Sequence, residues 1–142
     1  MRRELIETAG PLDLSFFLNY EDVEWCVRAR RMGYEVWYTP DAILWHKISA
    51  TLGEASPANT YYMTRNALFF FWLNSTPINR WLTTFRIIAR TIYTTLTWTI
   101  KKQYQNDKYR RLRRANLLAL RDFFHGNFGQ MGEDVAGICY PQ

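Results

Sequence analysis

The chain is poor in cysteine: only Cys26 and Cys139 occur in 142 residues. They lie far apart and match no zinc-ligand or Cys-x-x-Cys spacing, which excludes a zinc finger or a dithiol redox motif. Both read as reduced thiols in a cytoplasmic setting. A secretory signal is also missing, because Arg2 and Arg3 are followed by Glu4 and Glu7 with no apolar stretch. There are no internal repeats and no low-complexity segment. Acidic residues are scarce late in the chain: residues 101–114 hold seven Lys and Arg against one Asp. No recognisable nucleic-acid motif accompanies that charge, so no nucleic-acid partner is expected.

Apolar and aromatic residues are plentiful. Hydrophobic residues make up 48% of the chain, which argues against disorder, and aromatics 17%. The rings cluster at 61–72 and 81–98. Flat amphipathic rings serve a sugar platform, a membrane interface or a partner surface. The net charge is +5. A basic run beside an aromatic stretch suits an anionic membrane surface; a solvated helix face is the bland alternative.

Local patterning predicts a helix over 2–9 ended by Gly10, and an aromatic loop over 12–19. It predicts a helix from Glu21 to Met32 ended by Gly33. Residues 34–38 alternate and read as a strand, Pro40-Asp41 as a turn, and 42–46 as a second strand. Residues 47–58 form a Gly/Ser/Pro loop expected to be mobile. Helices are expected at 59–73, 78–104 and 107–124, with a loose tail after Gly126. In the long helix Leu82, Phe85, Ile88, Ala89, Ile92, Leu96 and Ile100 share one side. Arg86 and Arg90 would each cost a membrane-spanning helix roughly 2.5–3.5 kcal/mol near its centre. An amphipathic helix, lying in the interface or packed on the domain, fits better.

Chemistry concentrates between Phe17 and Lys47. Glu21 and Asp22 open a helix, where free N–H groups and the helix dipole favour carboxylates. Such a carboxylate is either a simple cap or a general base against a bound hydroxyl. His46 closes the second expected strand. It reads as a structural histidine or as one corner of a divalent-metal site.

The order of these motifs resembles the second half of family 2 glycosyltransferases with a GT-A fold, especially rhamnosyltransferase-like and galactofuranosyltransferase-like members. The resemblance rests on Gly10, Leu12-Asp13, Phe16-Phe17, Glu21-Asp22, Arg28 and Arg30-Arg31. It continues through Gly33-Tyr34, Pro40-Asp41-Ala42, His46, Tyr61-Tyr62, Arg65-Asn66 and Asp122-Phe123-Phe124-His125-Gly126. Pro11 is an extra residue within the first motif. The resemblance implies a partial α/β fold: the C-terminal portion of a GT-A enzyme, with a short β-hairpin and a mainly helical C-terminal region. It divides the chain into an acceptor and catalytic part, 1–58, and a helical extension, 59–142, at the membrane.

The same resemblance implies roles. Asp22 matches the base that deprotonates the acceptor hydroxyl, and Glu21 shapes the loop or the acceptor site. His46 matches a histidine that in some members joins a Mg or Mn site. Trp45 lines the sugar site or is simply buried, and Asp13 orders its loop. Arg65 and Asn66 bind an acceptor phosphate or pin their helix. The partners would be a nucleotide-sugar donor and a polysaccharide or polyprenyl-linked acceptor. The location would be peripheral, at the cytoplasmic face of the membrane. No Asp-x-Asp triplet precedes the acidic pair, so the donor site and the main metal ligands are expected in an absent N-terminal half. The chain by itself is then expected to be an inactive fragment. The alternative is a non-catalytic helical module, membrane-associated or partner-binding, that keeps the scaffold.

Overall fold

The computed structural model describes residues 3–45 and 55–140. Helices α1 (Arg3–Ala9) and α2 (Glu21–Arg31) form a small hairpin around Leu5, Ala9, Trp25 and Ala29. Two side chains of α2 tie it to the end of α1. The Trp25 indole N–H donates to Gly10 O at 2.9 Å, and Arg28 donates to Ala9 O at 2.6 Å and Pro11 O at 2.8 Å. Gly10 (φ 74°) reverses the chain where a side chain would be strained. Gly33 (φ 88°) does the same after α2.

The expected α/β character fails here. Residues 34–38 and 42–45 run without regular structure, and no strand forms among the described residues. The Pro40-Asp41 turn is present, but the segments around it do not pair. The physical reason is that β pattern describes a surface able to join a sheet; it does not supply one. A two-stranded hairpin alone is marginal in water, and among the described residues no third strand stands beside these segments. Their apolar side chains are left exposed, Trp45 at 94%. Residues 46–54, which include His46 and most of the expected mobile loop, lie outside the described residues.

The remainder is a helical bundle: α3 (Pro57–Asn74), α4 (Pro77–Ile100), a 3-10 turn at Lys102–Tyr104, α5 (Asp107–His125) and α6 (Glu133–Cys139). The starts follow local chemistry. Ser56 Oγ accepts from Asn59 N ahead of Pro57, and Asn106 Oδ1 accepts from Tyr109 N. Gly126 closes α5 in the left-handed conformation, with Asn127 N reaching back to Asp122 O at 2.8 Å. Ala58, Ala115 and Ala119 let α3 and α5 approach closely around Tyr61 and Tyr62. The tail after Gly126 is not loose. Helix α6 buries Val135 and Cys139 against that core, because these two apolar residues sit four apart on one face.

Helix α4 packs in an unexpected orientation. It turns Thr84, Thr91 and Thr95 inward. Its apolar residues Ile78, Trp81, Leu82, Phe85, Ile92, Tyr93, Leu96 and Ile100 face outward.

Candidate active-site loop

The loop before the acidic pair is strained and tightly held. Phe17, Asn19 and Tyr20 all take positive φ (61°, 66° and 73°). Non-glycine residues there cost roughly 1–3 kcal/mol each, so the surroundings must over-determine them. Asn66, fully buried on α3, does much of this. Its amide N–H₂ donates to Phe16 O (2.7 Å), Leu18 O (2.7 Å) and Asn19 O (3.0 Å). The ring of Phe16 is buried and lies 4.9 Å from Phe69. Upstream, Asp13 Oδ1 accepts from Ser15 N at 2.9 Å.

Arg65, 1% exposed, extends this clamp to the far end of the chain. Its guanidinium donates to Asn66 Oδ1 at 3.0 Å, to the Tyr61 hydroxyl at 3.1 Å and to Gly129 O at 2.7 Å. The Tyr61 hydroxyl donates to Asp122 Oδ2 at 2.7 Å, and Arg121 holds the other oxygen of Asp122 at 2.8 Å. Burial, followed by the hydrogen bond to Asp122, keeps the Tyr61 hydroxyl protonated far above its ordinary range. Burial likewise raises the Tyr62 and Tyr20 hydroxyls. Three motifs distant in sequence, 16–19, 61–66 and 122–129, thus meet in one buried polar network. Arg65 and Asn66 spend their donors on loop and closing-segment carbonyls.

The loop delivers Glu21 and Asp22 as the first residues of α2. Neither is the cap. Tyr20 occupies that position and makes no side-chain cap bond. Asp22 is exposed, and its Oδ1 accepts from Val23 N at 2.8 Å. Glu21 is half-buried, and its Oε2 is buried with no hydrogen-bond partner among the described residues.

The residue before the pair, Tyr20, reaches a cavity of about 440 Å³ that neither Glu21 nor Asp22 lines. Tyr20 lines it together with Asn59, Thr64, Arg90, Trp98 and Asn116 from α3, α4 and α5. Hydroxyls, amides, a guanidinium and an indole face are the groups that recognise sugars and their phosphates. Sequence reading placed Arg90 on the polar side of α4 but missed Asn59, Trp98 and Asn116. Single Asn and Trp residues carry no periodic signal, and only the packing of three helices brings them together.

Among the described residues no group of three or more His, Cys, Asp and Glu side chains could hold a metal ion. They do not by themselves make a Mg or Mn site. Trp45 stands exposed, and His46 lies outside the described residues.

Comparison with known proteins gives one informative likeness. The chain is similar to the dTDP-rhamnosyl transferase RfbF of Shigella flexneri, 30% identical over 108 residues. The match covers 70% of this chain and 36% of that protein. The chain therefore spans about a third of its relative's length. The likeness supports a glycosyltransferase relationship. No family model matches the chain, and no solved structure does.

Proposed function

We propose that this chain is the acceptor-side part of an inverting, family 2-type glycosyltransferase, with Asp22 as general base. The carrying observation is the acidic pair, set at the head of α2 by a strained and clamped loop whose last residue, Tyr20, lines a cavity of mixed polar and apolar groups. The likeness to a dTDP-rhamnosyl transferase supports the reading. In the mechanism, a glycan or lipid-linked acceptor presents one hydroxyl to the exposed carboxylate of Asp22. Asp22 takes the hydroxyl proton as that oxygen attacks the anomeric carbon of a nucleotide-sugar. The carbon–oxygen bond to the nucleoside diphosphate breaks on the opposite side, and configuration inverts. Glu21, half-buried beside it, shapes the loop or the acceptor site. Asn66 and Arg65 act through the loop and keep both carboxylates in place. A divalent metal, Mg or Mn, belongs to this reading, with its main ligands outside the described residues.

Sugar transfer by a polypeptide that joins this sequence to a donor-binding half tests the reading. Asp22→Asn should cut transfer at least about a hundredfold, the low end for a positioned base. Donor binding should stay intact. Transfer that survives the substitution removes Asp22 from the base role. The competing reading, a non-catalytic helical module, draws on the outward apolar face of α4. It gains if saccharide phosphates titrated onto the chain leave the NMR signals of Asn59 and Trp98 unmoved.

A further inference from the structure

Helix α4 is 24 residues long, or about 36 Å at roughly 1.5 Å per residue. Its outward residues Ile78, Trp81, Phe85, Ile92, Leu96 and Ile100 recur every three, four or seven positions and share one face. Their exposure is high along the full length: Ile78 is 82% exposed, Phe85 70% and Ile100 75%. A contiguous apolar stripe of this size on a folded domain marks a docking surface. Near its start the stripe opens into an apolar groove of about 800 Å³ walled by Trp72, Phe124 and Phe128.

Charge indicates the occupant. Helix α4 contains no Asp or Glu. Arg86 is exposed and follows Phe85 by one position, which sets it at one edge of the stripe at about 100° per residue; Arg90, also exposed, lies further round toward the cavity it lines. Exposed Lys101 and Lys102 follow Ile100, and Lys108 comes soon after, while Arg110 is paired with Asp107 at 2.8 Å. Two copies pairing stripe to stripe would bring these cations together with no acid on α4 to offset them. A lipid surface with anionic headgroups instead meets both features, apolar face to acyl boundary and basic edge to phosphate. No helix among the described residues is long and apolar enough to cross a membrane, so α4 would lie in the interface.

We propose that the apolar face of α4, with its basic edge, seats this chain on an anionic lipid bilayer. This inference stands apart from the sugar-transfer reading, since it uses none of the cavity or loop residues except Arg90. The experiment is vesicle flotation of the 142-residue chain. Vesicles of phosphatidylglycerol mixed with phosphatidylcholine should carry the chain, and phosphatidylcholine alone should carry far less. Phe85→Glu with Ile92→Glu should weaken binding more than tenfold. Arg86→Ser should weaken it roughly fivefold, and high salt should act in the same direction. Ile78→Asp with Leu96→Asp reads the same stripe at other positions, should the first pair disturb folding. Equal flotation on neutral and anionic vesicles overturns the proposal, as does full binding by both double variants. A dimer that ignores vesicles and falls apart on Phe85→Glu with Ile92→Glu also overturns it and assigns the stripe to a second copy.

Discussion

Helices α3 and α4 are neighbours of comparable apolar content, yet they bury opposite kinds of residue. Helix α3 buries Tyr61, Tyr62, Leu68 and Phe70, and with them Arg65 and Asn66. Helix α4 buries three threonines and turns its large apolar side chains out. The difference lies in position. Helix α3 is covered by α4, α5, α6 and the 13–19 loop, so even its polar residues are enclosed and must be satisfied internally. Helix α4 is covered on one side by α3 and α5. Small threonines allow close packing there: Asn116 donates to Thr95 Oγ1, while Thr84 Oγ1 is buried with no hydrogen-bond partner among the described residues. Apolar content alone therefore does not say which face of a helix points inward.

The contrast can be broken most severely at Arg65. Arg65→Ala strands the Gly129 carbonyl and the Tyr61–Asp122 pair in a dry interior, and should cost about 3 kcal/mol or more. Urea unfolding measures it. Arg65→Lys should recover only part, since an ammonium lacks the planar fork. A loss below about 1 kcal/mol would mean that the network does not hold the bundle and loop together.

A smaller effect comes with alkali. Burial raises the Cys139 thiol from its ordinary 9.0 to about 11. The unfolded chain therefore gives up this proton at lower pH than the folded chain. Its contribution is whole below pH 9.0 and is lost as pH rises to about 11. The buried Tyr61 and Tyr62 hydroxyls shift in the same direction and push the loss further into alkali. Melting temperature against pH should decline over that window, and Cys139→Ala should flatten its first part. A flat profile up to pH 11 in the parent chain would contradict the burial of these groups.

The smallest effect is expected on the outer face of α4. Phe85→Ser should change unfolding free energy by no more than about 0.5 kcal/mol, because it removes little buried surface. A cost of 2 kcal/mol or more would place Phe85 inside a packed core and erase the contrast.

Much of the helical framework was legible in the residues. Gly10, Gly33, Pro77 and Gly126 stop or start helices through backbone chemistry that needs no tertiary partner, and the expected ends lie close to the observed ones. The exceptions are the long helix, which ends at Ile100 and gives way to the turn at Lys102–Tyr104, and α6, which forms where a loose tail was expected. The acidic pair was visible as the opening of α2. The strands were misread, since alternation over 34–38 needs a sheet to join. The strained loop was invisible, because Phe17, Asn19 and Tyr20 take left-handed backbone only under the hold of Asn66, some fifty positions away.

Order and end points of the helices, the basic late segment and the carboxylates at the head of α2 were determined by the amino-acid sequence, because caps, charges and breakers act within a few residues. Tertiary packing decided the rest. It chose the threonine face of α4 as the inner one and gathered Tyr20, Asn59, Trp98 and Asn116 around one cavity. It also drew Arg65 and Asn66 onto a distant loop, since buried polar groups must find partners wherever the folded chain supplies them.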